Sequence, residues 1–222
     1  MKFVYPDFGI AIDTEDGVTE VVVENQNLLY KFLMDIRFQI EGNDGDAVIS
    51  DCGKILQINK HLELLTAFAP FEINTKVLLN KLISKYKEAA VSELYYDHTL
   101  EIHRAVEEYL LVIGTALSGS ISFDKLSVEN IIKAAGPRFD AEHNTLAETL
   151  IDFFELVREY DIEKMFILYN VRSIINDDEY AKFVKSVQLH RYNIILIEAN
   201  ERKAIEGTIR YIIDEDLCLI HS

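Results

Sequence analysis

Glycine and proline are scarce, nine and three among 222 residues. That excludes a low-complexity chain and speaks against disorder. Cysteine is scarcer still: Cys52 and Cys218 stand far apart, and both are expected in apolar surroundings. With no C-x-x-C and no Cys/His cluster, a zinc site is not expected, and a reduced, cytoplasmic protein fits best. No apolar run approaches the roughly 20 residues of a membrane span. Residues 1–6 lack the apolar core of a signal peptide. Positive charge is also short, with 22 Lys and Arg against 38 Asp and Glu, a net charge of −16. Such a surface is solvated and averse to nucleic acid unless positive charge is segregated.

Familiar chemical motifs are missing too. There is no G-x-x-x-x-G-K-[ST] and no G-x-G-x-x-G, so no loop advertises the backbone amides that grip phosphates. No G-x-S-x-G elbow occurs. The six histidines, His61, His98, His103, His143, His190 and His221, are scattered. His98 and His103 are five apart, whereas a zinc-binding pair on a helix needs four.

Two apolar runs organise what is present: Met165-Phe166-Ile167-Leu168-Tyr169 and Ile194-Ile195-Leu196-Ile197. Neither alternates, and both are rich in β-branched or aromatic residues, as strands buried on both faces are. One helix between them makes a βαβ unit and implies a parallel sheet. Near the start, a run over 8–12 and a second over 18–23 flank Thr14-Glu15-Asp16-Gly17, which predicts a tight hairpin. Asn25 can cap a helix carrying Leu28, Leu29, Phe32, Leu33, Ile36 and Ile40 at helical spacing. The acidic turn over 41–46 superficially resembles a calcium loop, but Gly45 occupies a ligand position and the register fails. Short strand candidates lie at 47–51, 54–58 and 62–65.

After Pro70 the β signal disappears. A helix from Asn74 and a longer one over 92–117 suggest an antiparallel helical arm. A short helix from Ser127 ends at Gly136-Pro137, and another begins at Asn144 or Thr145. Tyr211-Ile212-Ile213 and Leu217-Cys218-Leu219-Ile220 flank Asp214-Glu215-Asp216 as a terminal hairpin. The expected architecture is α/β: a head with a mostly parallel sheet from residues 1–72 and 161–222, and an inserted helical leg over 73–160.

Two places invite a functional reading. Asn170 and Arg172 lie at the carboxyl end of a central strand, where open α/β sheets bind ligands, although Asn170 serves equally to satisfy the turn after it. Lys76, Lys81, Lys85 and Lys87 fall within twelve residues that contain no acid. Lys81 and Lys85 share one flank of the apolar stripe, Lys76 and Lys87 the other. They read either as a DNA-facing strip or as lysines snorkelling beside a core.

The layout resembles the CRISPR-associated adaptation protein of type II-A systems, the Csn-two family. The resemblance is carried by the lysine-led apolar strand from Lys164 to Asn170, the acidic helix start Asn176-Asp177-Asp178-Glu179-Tyr180, the strand Ile194-Ile195-Leu196-Ile197-Glu198, and the ending Tyr211-Ile212-Ile213-Asp214-Glu215-Asp216. It implies a head like a P-loop ATPase without the phosphate loop, and a helical leg. It further implies a non-enzymatic homotetrameric ring that threads linear double-stranded DNA through a basic hole, working with the spacer-integrating complex and the effector nuclease. Lys76, Lys81, Lys85 and Lys87 are the first candidates for DNA contact, then Lys125 and Lys133. Calcium is implied at acidic sites, for which Asp124, Asp140, Glu142, Glu148 and Asp152 are candidates. Serines stand at 118, 120 and 122, where the family places carboxylates, which predicts fewer or weaker sites. The rivals are a degenerate nucleotide hydrolase or metal-dependent nuclease using Asp13, Asp51 or Asp214–Asp216, and a scaffold that binds only proteins.

Overall fold

The computed structural model describes residues 1–124, 126–140 and 145–221. The chain divides into two compact units, Met1–Phe71 with Glu142–Ser222, and Glu72–Ala141.

The larger unit opens with strands β1 (Lys2–Tyr5), β2 (Ile10–Asp13) and β3 (Val18–Val23), then helix α1 (Gln26–Ile40). Strands β4 (Val48–Asp51) and β5 (Lys54–Leu56), the short helix α2 (Ile58–His61) and strand β6 (Leu62–Leu65) complete its first segment. The smaller unit contributes α3 (Lys76–Ala90), α4 (Tyr96–Thr115) and α5 (Val128–Ala135). The chain then returns through α6 (Leu146–Tyr160), β7 (Met165–Tyr169), α7 (Asp177–His190), β8 (Asn193–Glu198), β9 (Thr208–Ile213) and β10 (Leu219–His221).

Six strands form the main sheet in the order β10-β9-β3-β8-β7-β6, and four form a small antiparallel sheet, β2-β1-β4-β5. From β9 to β6 every pairing in the main sheet is parallel; only β10 runs antiparallel. The βαβ reading of 165–197 holds, with Ile167 opposite Ile195. The early hairpin does not form. β2 pairs with β1, while β3 leaves for the middle of the main sheet between β8 and β9. All six residues of β3 are buried, and an unbroken buried strand belongs inside a parallel sheet rather than at a hairpin edge.

Alternation sorts the two faces of the sheet. Val21, Val23, Ile195, Ile197, Met165 and Ile167 join α1 and the small sheet in one core. On the opposite face α6 and α7 supply aromatics: Phe154 sits 4.5 Å from Phe166 and 6.3 Å from Phe183. This explains why the insertion ends earlier than residue 160. Leu150, Phe153, Phe154 and Val157 of α6 are buried, so this helix belongs to the sheet-bearing unit.

One connection is unusual. β8 and β9 are parallel strands that flank β3, yet the nine residues 199–207 between them contain no helix or strand. A six-residue strand spans about 20 Å and nine extended residues reach about 30 Å. Nine helical residues would cover only about 14 Å, so the segment runs back without a crossover helix, as a strap.

In the smaller unit, Thr75 and Ser127 cap α3 and α5 through their side-chain oxygens. Gly136 ends α5 at φ +63°, a left-handed position where glycine costs least. Asn74 binds the backbone of Phe139 twice, donating to its carbonyl at 3.1 Å and accepting from its amide at 2.9 Å. The expected antiparallel arm is altered, since α3 packs most closely on α5 rather than on α4. Of the twenty residues of α4, none is buried.

Candidate nucleic-acid interface

Helix α3 forms because Val77, Leu78, Leu82 and Tyr86 recur at helical intervals behind the Thr75 cap. Leu78 and Leu82 are buried on one side. Lys76, Lys81, Lys85 and Lys87 are left exposed along the rest of the helix. Lys133 lies on α5, and the structure brings it to Lys87. Both bind Glu129, Lys87 Nζ at 3.0 Å from Oε2 and Lys133 Nζ at 2.6 Å from Oε1. These two ammonium groups hold the Glu129 carboxyl down at about 2, Lys133 contributing most. Lys125 lies outside the described residues.

Charge is divided unequally between the units. The smaller unit has eight Lys and Arg against ten Asp and Glu, a net −2. The larger has fourteen against twenty-eight, a net −14. A lysine-bearing helix thus sits on the part of the chain that repels a polyanion least.

The acids proposed for calcium are dispersed. Asp124 and Asp140 are exposed, and Glu142 falls outside the described residues. Glu148 and Asp152, one turn apart on α6, line a groove of about 690 Å³ with Asp178, Glu179 and Lys182. Glu179 Oε1 is occupied by the Ala147 amide at 3.1 Å. Among the described residues no three acids, histidines or cysteines are placed to hold a metal. The described carboxylates alone do not supply the six to eight oxygens that calcium takes.

Of the acids considered for catalysis, Asp13, Asp51 and Asp214 make structural contacts. Asp13 pairs with Lys2 at 3.2 Å. Asp51 lies 3.8 Å from the Met1 ammonium. Asp214 Oδ1 accepts from the amides of Asp216 and Cys218, which shapes the β9–β10 turn. Cys52 and Cys218, expected in apolar surroundings, are both exposed.

At the carboxyl edge of the main sheet, β3 passes to α1 in two residues, Glu24 and Asn25. Asn25 Oδ1 takes the Leu28 amide at 3.0 Å, and Asn25 Nδ2 donates to the Glu215 carbonyl at 2.8 Å. The hollow beside it, about 240 Å³, is lined by Glu24 and Glu215. A helix start of this kind can hold a phosphate. Here a side-chain oxygen fills one donor and carboxylates stand nearby.

Asn170 adopts φ +55°. Its Oδ1 accepts from the Ala199 amide at 2.9 Å and its amide donates to the Ile197 carbonyl at 2.8 Å, so it ties the end of β7 to that of β8. Arg172 beside it is the largest fully buried side chain. Its Nη1 reaches Glu20 at 3.1 Å, and its Nη2 reaches Asp177 at 3.0 Å and the Lys203 carbonyl at 2.9 Å. Arg210 pairs with Glu20 at 3.1 Å and donates to the Arg202 carbonyl at 2.6 Å. Tyr180 completes the group, its hydroxyl donating to Glu20 at 2.7 Å. Two buried guanidinium groups thus clamp consecutive carbonyls of the strap. Sequence reading missed this cluster because Glu20 and Arg172 lie 152 residues apart and neither stands in a motif.

The fold defines an α/β protein with a mostly parallel sheet, no phosphate loop and a helical insertion. Family comparison is more specific. The profile of the CRISPR-associated protein family Cas_Csn2 matches residues 39–217, and the chain belongs to that family. The CRISPR-associated protein Csn2 of Enterococcus faecalis is 21% identical over 158 residues, which are 71% of this chain and 64% of that relative. The match thus spans less than two thirds of the relative's length. The crystal structure of Stu0660 of Streptococcus thermophilus aligns with a TM-score of 0.57 over 100% of this chain and 76% of that one, at 13% identity, and supports the fold. No helix among the described residues is long and apolar enough to cross a membrane.

Proposed function

We propose that the protein is a non-enzymatic CRISPR adaptation factor, acting in spacer acquisition, that forms a homotetrameric ring and holds the ends of linear double-stranded DNA without reading sequence. The observation that carries this reading is the division of charge, −14 on one unit and −2 on the unit bearing α3. Duplex DNA presents about one charge per 1.7 Å, so lysines on such a surface make contacts that are sequence-independent and salt-sensitive. Assembly is supported by α4. Ile102, Tyr109 and Ile113 lie along one side of this helix and remain 52%, 65% and 39% exposed. A seam of near-heptad spacing left open in one chain is suited to helices of other copies. The two-residue β3–α1 link supports a role without nucleotide hydrolysis. In this reading the spacer-integrating complex and the effector nuclease are the protein partners.

The test compares binding to linear duplex with binding to a covalently closed circle of the same sequence, each with calcium and with chelator. Binding confined to the linear form is expected, because a closed ring admits DNA only through an end. Equal binding to both forms would remove the ring, and no binding to either would leave a protein-only scaffold. Loss of binding with chelator would establish a calcium requirement.

A further inference from the structure

Glu129 draws together Lys87 and Lys133, two of the lysines on which the DNA reading depends. Resting on that reading, we infer that Lys87 and Lys133 form a seat for a DNA backbone phosphate, which Glu129 occupies in the free protein, so that this carboxylate opposes and limits DNA binding.

The geometry is that of a phosphodiester contact with a carboxylate in its place. The lysines come from different helices, yet each binds a separate oxygen of one anionic group, at 3.0 and 2.6 Å. The two non-bridging oxygens of a phosphodiester can take the same pair of ammonium groups. Lysine suits this exchange, being a point charge on a flexible stem that can follow an incoming anion. The seat is open: the side chains of Lys87, Lys133 and Glu129 are 56%, 54% and 36% exposed. Exposed ion pairs are weak and screened by salt, so a polyanion can displace this one. It must still displace it or accept a carboxylate beside its own phosphates. Lys81 and Lys85, on the other flank of α3, carry no part of this seat.

A plain alternative is that Glu129 staples α5 to α3 and does nothing more. The two roles predict opposite changes in affinity. If Glu129 is only a staple, its loss loosens the unit and weakens binding. If it occupies the seat, its loss tightens binding.

The experiment measures affinity for a fluorescent linear duplex by anisotropy with the full chain. It uses the wild type, Glu129→Gln, Glu129→Ala, Lys87→Gln/Lys133→Gln, and the triple variant that adds Glu129→Gln to the lysine pair. At roughly 50 mM salt, Glu129→Gln should bind about three- to tenfold more tightly than wild type, with the gain shrinking near 200 mM. Glu129→Ala should behave the same way, and the triple variant should show no gain over the lysine pair. Wild-type binding with Glu129→Gln and Glu129→Ala equal to it or weaker would overturn the inference and leave the DNA reading standing. No binding by any form, wild type included, would overturn both.

Discussion

At the scale of single residues, the polar interior of the larger unit is the feature with most at stake. Glu20, Arg172, Arg210 and Tyr180 are buried together, and removing one member of such a group leaves another charge uncompensated. Glu198, beside them, accepts from the Arg172 amide at 3.2 Å. Burial pushes its carboxyl up to about 7; the charge of Glu20 adds to this, while the hydrogen bond and the charges of Arg172 and Arg202 oppose it. Between the ordinary value of 4.5 and about 7, the folded protein keeps a proton that the unfolded chain releases. Stability therefore falls as pH rises through that window. Glu198→Gln retains an acceptor and carries no proton to lose. It should stabilise the protein by about 1–3 kcal/mol near pH 8 and little near pH 4.5, read by urea denaturation. Equal stability of variant and wild type near pH 8 would mean that Glu198 is already charged at no cost. None of this was legible in the sequence, where Arg172 was visible only as a neighbour of Asn170. Its partners come from β3, α7 and the strap, and only folding makes them neighbours.

At the scale of elements, much was legible where one physical signal dominated. The buried strands β7 and β8 announced themselves by lack of alternation. Asn25 and Ser127 cap helices with their own oxygens at the starts read from the sequence, whereas α3, read from Asn74, is capped by Thr75. What misled was local chemistry that lost to tertiary burial. Asp16-Gly17 makes a turn, yet β3 continues into a different sheet because its valines fill a site between two other strands. The lysine strip on α3 could be read, but its meeting with α5 through Glu129 could not, since helix-to-helix packing leaves no mark at a separation of 42 residues. The expected arm of two paired helices was a reasonable use of α4's apolar side, but within one chain that side stays largely open. Hence a prediction for this element: Ile102→Lys with Tyr109→Lys should convert the assembled protein to smaller species in light scattering at micromolar concentration. Its melting temperature as a monomer should be little altered, because both positions are exposed. An unchanged mass would show that α4 is not the assembly seam.

At the scale of the whole molecule, composition alone is an average that hides an uneven division of charge. A net −16 reads as a chain that avoids nucleic acid, and only the boundary between units shows that residues 72–141 are nearly neutral. Counterion release makes this testable through salt. Neutralising Lys81 and Lys85 as Lys81→Gln/Lys85→Gln should flatten the plot of log affinity against log salt by about 1.8, at about 0.9 per phosphate contact. The loss should be the same for unrelated DNA sequences. An unaltered slope would place the contacts elsewhere on the protein.

The unequal charge also acts before any contact is made. A rod of negative charge pushes hard on one unit and hardly at all on the other. Within a Debye length, about 10 Å at 0.1 M salt, a polyanion is repelled far more by the charge of the larger unit than by that of residues 72–141. In the proposed reading the acidic surface adds nothing to the grip on DNA, and it disfavours encounters made through the larger unit.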